Sequence, residues 1–469
     1  MFCPQSYTII AAFFPKLLGF VYLIALGALL FQIKGLIGEN GILPLAHYLN
    51  IFQRYPWHLR LRYAPTLFWF NASNRALITA IVAGLLCALC LISGIYPSLM
   101  LLLLYVIYLS LVTAGQDFLS FGWEGLMLEI TIQTFLMSLT IVPNLMVWIS
   151  LNFLLFRFHF QAGLIKLQSL DPSWRNLTAI AHHYQSQPLP NTIAWYAHRL
   201  PLWFQKLSTC WVFILELILP FGIFLNESIR LGVFGGFFSL QFLIWLTGNF
   251  SYLNFLTAAF ATILISNTYL EPWTSLPALE APSTIFNVIL SLLGAVFLGL
   301  QLLRLWNHIF PQPKLNQLFS QITPFHLVNR YTLFANMTIE RFEVVIEGSN
   351  DGQSWKEYTF KYKPSEVTRR PRRIAPYQPR LDWQAWFLPF RDFYSEPWFQ
   401  SFLMHILKGT PEVLKLLRDN PFAEHPPKYI RSLLYEYKFS TLQEKREKGV
   451  WWQRQELSLY SPSMSLKKK

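Results

Sequence analysis

Apolar runs of about twenty residues recur up to residue 305, and such runs have few ways to fold. A helix of roughly 20 residues spans the ~30 Å hydrocarbon core of a bilayer, and inside that core only helices and closed barrels satisfy every backbone polar group. Candidate spans lie near 17–33, 76–95, 98–114, 121–140, 143–165, 207–225, 231–247, 250–270 and 284–305. Several are broken by Pro, Gly or Glu, so six to nine spans are expected. KLLGFVYLIALGALLFQI, from Lys16, is followed by no small-residue cleavage site and reads as a first span. Charge divides the chain in the same place: residues 1–305 hold 13 Lys/Arg and 9 Asp/Glu, and residues 306–469 hold 25 and 16. The expected fold is a polytopic α-helical membrane bundle over 1–310. An extramembrane C-terminal α+β domain over 311–469 follows, with an antiparallel β-sheet and terminal helices.

In RFEVVIEGSNDGQSWKEYTFKYK, residues 341–363, Phe342, Val344 and Ile346 alternate with Arg341, Glu343 and Glu347, and a second alternation follows SNDG. That pattern predicts a hairpin with one buried face. The 325–365 segment is therefore read as β-rich, 364–380 as Pro/Arg-rich, and 381–455 as three amphipathic helices. The first helix carries the stripe Phe399, Phe402, Leu403, Ile406 and Leu407 and stops at Gly409. The second starts at Thr410-Pro411-Glu412. The third carries Tyr429, Ile430, Leu433, Leu434 and Tyr437. The RRPRR knot at 369–373 is tied to a membrane domain, so anionic lipid headgroups are its expected partner and nucleic acid is not. Four cysteines make no disulfide framework, and Cys87 and Cys90 read as small apolar residues of a span.

Ionisable groups at membrane depth are costly and normally pair or face a cavity. Glu124 and Glu129 share one run, Glu216 lies in another, and Arg157, His159 and Lys166 lie in or beside a third. Two readings stand. In the first, Arg157 and Lys166 snorkel to opposite interfaces while Asp171-Pro172 begins the next helix. In the second, a polar cavity holds a desolvated Lys166 that acts as base or ligand anchor, with His159 and Glu129 as neighbours. Gly163, one turn before Lys166, lets another helix come close. His182 and His183 are adjacent and lack a third ligand at useful spacing, so no metal is expected. The chain has no Gly-rich phosphate loop, no GxSxG and no HExxH, which leaves soluble hydrolase or nucleotide chemistry unsupported and no cofactor expected.

Three longer stretches carry a likeness. LQSLDPSWRNLTAIAHHYQSQPLPNTIAWYAHRLP (167–201), EVVIEGSNDGQSWKEYTFKYKPSEVTRRPRRIAPYQPRLDWQAWF (343–387) and NPFAEHPPKYIRSLLYEYKFST with a later WWQR resemble the lipase maturation factor family. The likeness runs from FQIKGLIGENGILP at 31–44 to Trp452. It implies a membrane-embedded factor that secreted lipases need to fold and assemble. The implied location is the endoplasmic reticulum membrane in a eukaryote, or the inner membrane in a bacterium. It also implies a C-terminal domain that faces the lumen and meets clients. Motif positions are Asp171, Trp174, His182, His183, Gln187 and Pro188 in the first block. In the second they are Gly348, Trp355, Tyr362, Pro364, Pro376, Pro379, Arg380, Asp382, Trp383 and Trp386. No catalytic residue is implied. FHFQAGLIKL, 158–167, is also distantly similar to vitamin K-dependent carboxylase spans. That similarity implies the alternative of a membrane enzyme with Lys166 as base on a lipid-soluble substrate.

Overall fold

The structure, a computed structural model, describes residues 3–274 and 283–466. Nine helices of twelve residues or more build the described membrane half, with shorter ones in the connections: α1 (Pro4–Leu30), α2 (Asn74–Ile92), α3 (Pro97–Leu119), α4 (Gly122–Met137), α5 (Leu145–Gln168), α6 (Leu202–Phe224), α7 (Glu227–Thr247), α8 (Leu253–Leu264) and α9 (Thr284–Ile309). Seven are long and apolar enough to cross a membrane; α4 and α8 are too short. The runs read at 121–140 and 250–270 are therefore packed helices rather than full spans.

Side chains close several helix ends whose backbone N–H groups would otherwise lack partners. Ser73 accepts from Ala76 at the start of α2, Asn144 from Met146 and Val147 at α5, and Asn226 from Ile229 at α7. α4 and α5 are buried on nearly every side and form the centre of the bundle, as helices apolar around most of their circumference must be. α9 lies along α5, and Gly294 sets their closeness: a Cβ there would stand 2.5 Å from the Val147 nitrogen.

The C-terminal domain is built on a five-stranded antiparallel sheet in the order β3-β2-β1-β4-β5. Its strands are β1 (Arg341–Ser349), β2 (Lys356–Phe360), β3 (Leu417–Asp419), β4 (Tyr429–Phe439) and β5 (Trp452–Ser465). The predicted hairpin is β1–β2, with Ile346 opposite Tyr358. Three short α-helices, α10 (Arg380–Ala385), α11 (Pro397–Leu407) and the single turn Pro411–Leu414, lie between β2 and β3. The α11 stripe is buried as its spacing predicts, and Gly409 follows with φ +66°.

Two expectations are corrected here. The segment read as a third helix is β4, so 381–455 is not helical throughout. Buried positions 433, 435, 437 and 439 follow a strand period, but the parity slips at 432/433, where the β4–β5 register shifts. That irregularity mimics helical spacing, and the β-favouring aromatic side chains decide the outcome. Strand β1 also has no solvent face for its charges. Arg341 and Glu343 are buried, and Glu343 is bound by Arg341 at 2.5 Å and by Lys363 at 2.8 Å.

One continuous apolar core runs from α1 to β4, so the sheet domain and the bundle share their interior. On the sheet's other side a smaller cluster joins Leu433, Tyr435, Tyr437, Phe439 and Trp452 to Trp195 from the α5–α6 connection.

Candidate functional site: three buried ion pairs and a cavity

Each buried acid in the bundle meets its own cation. Glu129 on α4 is paired with Arg157 on α5, and neither side chain is exposed. The chain after α9 folds back to complete this pair. Asn329 gives Glu129 its backbone N–H at 2.8 Å and its side-chain amide at 3.0 Å, and the Tyr331 hydroxyl adds a bond of 2.7 Å. A carboxylate so saturated is a structural centre rather than a base awaiting a proton.

Glu124 is reached from much further along the chain. Arg380, at the start of α10, donates to Glu124 Oε1 and to the Phe118 carbonyl, each at 2.8 Å, and Trp123 Nε1 adds a bond of 2.9 Å. Beside it Trp383 is buried edge-on against Trp123 at a centroid distance of 5.2 Å. Asp382 accepts the backbone N–H groups of Tyr362 at 2.6 Å and Lys363 at 3.0 Å, which ties α10 to the end of β2. Trp386 Nε1 donates to the Ser186 carbonyl at 2.9 Å. Arg380 and Trp383 thus fasten the two halves, Asp382 holds α10 within the C-terminal domain, and Trp355 is half-buried under the Arg431 guanidinium.

Burial pushes the Asp382 carboxyl up to about 6 against the pull of its two N–H donors. Between its ordinary value of 3.8 and about 6, the folded chain binds a proton that the unfolded chain does not. This group therefore adds stability as pH falls through 6 and loses it as pH rises. The stability advantage of wild type over Asp382→Asn should accordingly grow between pH 7.5 and 5, by about 1.4 kcal/mol, read as a widening gap in melting temperature. A difference independent of pH would refute the assignment.

The third pair differs because it lines a cavity. Lys166 Nζ lies 2.6 Å from Glu216 Oε2 and 2.9 Å from the Ala162 carbonyl, with the Trp174 ring 5.2 Å away. Local sequence explains how α6 delivers the acid. Pro220 has no N–H and its ring crowds the carbonyl four residues back, which is that of Glu216. Residues Ile214–Ile218 accordingly widen into a π turn, a distortion common where a helix side chain is re-aimed. Gly163 receives the turn: a Cβ there would stand 2.9 Å from Glu216 Cβ.

The cavity holds about 710 Å³ of space not filled by atoms, part of it open to solvent. His159 and Lys166 of α5, Glu216 of α6, Gln241 of α7 and Asn254 of α8 supply its polar wall, while Leu333, Phe334 and Met337 come from the C-terminal side. The first motif block frames it. Trp174 Nε1 donates to the Phe334 carbonyl at 3.0 Å, and Asp171 accepts the Met337 N–H at 2.6 Å. His183 faces inward, held near 4 first by burial and then by Lys166, so it is neutral at physiological pH. His182 is half-buried outside the lining, and Gln187 and Pro188 are buried, the Pro188 carbonyl accepting from Arg341 at 2.9 Å. Among the described residues no three His, Cys, Asp or Glu side chains gather to hold a metal ion.

Asn329, Tyr331, Gln241 and Asn254 were not singled out in the sequence. Their only signal is polarity in or beside apolar stretches, which many surface positions share.

The description "lipase maturation factor transmembrane domain" matches residues 9–272, and "lipase maturation factor C-terminal domain" matches 327–462. The chain is 33% identical to lipase maturation factor 1 of Bos taurus over 96% of its own length and 88% of that protein. It is 32% identical to lipase maturation factor 2 of Gallus gallus, over 95% and 80%, and 32% identical to human lipase maturation factor 1, over 96% and 87%. Neither matched description names a carboxylase. No solved structure matches.

Proposed function

Because the chain belongs to the lipase maturation factor family, we propose that it is a membrane-embedded factor that assists the folding and assembly of secreted lipase-like proteins. In a eukaryotic cell it would act in the endoplasmic reticulum membrane with the sheet domain on the luminal side. The observation that carries the reading is β5. It is the edge of the sheet, fourteen residues long, and exposed throughout 455–459, where Leu457 and Leu459 are 46% and 55% exposed. Folded proteins usually protect such an edge, because its unpaired N–H and C=O groups can take up another strand. A client with unpaired strands can dock by adding one. Pro462 would limit that pairing to the part of β5 before it. The arginine knot supports a headgroup contact as well: Arg372 and Arg373 are exposed, and Arg373 donates to the Leu246 carbonyl at the end of α7.

Replacing Leu457 and Leu459 together by Lys places two charges on that edge while removing little buried surface. Co-expressed with a secreted lipase, this variant should lower lipase activity severalfold at unchanged lipase synthesis, with the factor at normal abundance. Unchanged lipase activity would remove β5 as the client surface.

A further inference from the structure

The internal cavity has a neighbour on the bilayer side. Between α7 and α8 runs a groove lined by Phe238, Phe242, Trp245, Phe255 and Ala258. Phe238 and Phe242 are 49% and 47% exposed on the face of a spanning helix, so lipid chains reach them. Gln241 and Asn254 line both groove and cavity, and Asn254 Nδ2 donates to Gln241 Oε1 at 2.9 Å where the two meet.

The cavity side of this hydrogen bond offers buried acceptors. His159 Nδ1 lies 3.0 Å from the Leu155 carbonyl, which can only accept, so Nδ1 carries the proton and Nε2 presents a lone pair. That lone pair has no partner among the described residues, and neither has Asn254 Oδ1; the two residues are 2% and 3% exposed. Stacking on Phe237, with ring centroids 3.6 Å apart, fixes the His159 ring in place. Leaving two acceptors buried and unpaired is costly, and a ligand bearing donors would relieve that cost. The ligand's charge follows from the Lys166–Glu216 pair. The cavity's cation is already matched at 2.6 Å, so a charged head would enter without a counter-ion.

We propose that groove and cavity form one binding site, entered sideways from the bilayer past the Gln241–Asn254 hydrogen bond, for a neutral single-chain lipid carrying a free hydroxyl. The chain lies between α7 and α8, and the hydroxyl donates to His159 Nε2. This site is independent of client docking at β5.

The test uses the full-length protein in membranes and a long-chain alcohol bearing a photoreactive group and a click handle. Crosslinks should map to α7 and α8, and unlabelled alcohol should compete while the fatty acid of equal length should not. His159→Phe keeps the stacking but removes the acceptor, and should weaken labelling about fivefold, the value of one hydrogen bond. Ala258→Trp fills the groove away from the cavity and should abolish α7–α8 labelling even where His159→Phe does not accumulate. Labelling spread evenly over all lipid-facing helices, equal competition by the fatty acid, or full labelling of the Ala258→Trp protein would each overturn the proposal.

Discussion

Arg380→Ala should deplete the protein from the membrane, because it leaves Glu124 as a buried carboxylate without a cation. Removing one partner of such a pair typically costs about 3–5 kcal/mol, a large part of the stability of most folds. The Phe118 carbonyl loses its donor in the same change, and the anchor of α10 on the bundle goes with it. Abundance and detergent-phase melting temperature should both fall, and lipase maturation should fall only in step with them. Combining Arg380→Met with Glu124→Gln removes both charges and should restore much of the loss. Normal abundance and melting of Arg380→Ala with selective loss of lipase activity would show instead that the motif meets the client directly.

Lys166 and Glu216 call for a complete cycle of substitutions. Lys166→Met alone strands Glu216, and Glu216→Gln alone strands Lys166, so each should cost several kcal/mol, on the order of 3. The double variant should recover most of this and be less destabilised than either single one, whereas a cost near the sum of the two would show no coupling. Lys166→Arg keeps the charge and should be tolerated. The double variant is also informative about chemistry, since it has no amine to act as a base. If it folds with wild-type melting yet matures no lipase, the amine does more than balance charge and the enzymatic alternative regains its footing. Retained maturation would confine Lys166 to structure.

Much of the membrane half was legible because span length is set by the bilayer, a constant outside the chain. The failures lie where that constant does not act. α4 reads as a span by composition, yet it is a short central helix whose Glu124, Glu129 and Gln133 are all buried. In the sheet domain the hairpin could be read from the alternation around SNDG. β4 could not, because shifts in its pairing with β5, one of them at Ser432/Leu433, turn a two-residue period into an apparent helical one. The acids and bases of the membrane segments stood out individually, but their pairing depends on topology. Glu216 meets Lys166 through a turn widened by Pro220, and Glu124 meets an arginine that closes the Pro/Arg-rich stretch and that the family resemblance marks only as a motif position. Asn329 and Tyr331, which complete the Glu129 cage, lie in a connecting segment that carries no periodic signal.

The spacing of the three pairs along the chain also fixes an order in time. Glu129 and Arg157 are 28 positions apart and Lys166 and Glu216 are 50 apart, so synthesis delivers both members of each while the bundle is still being made. Glu124 waits through 256 residues for Arg380. Until the ribosome has passed that arginine, α4 carries a carboxylate with no counter-charge, and every partially made or prematurely ended chain differs from the finished one by that single group. The membrane half is therefore not a finished base to which a sheet domain is later added; its own charge balance is settled only when the last third of the polypeptide folds back onto it.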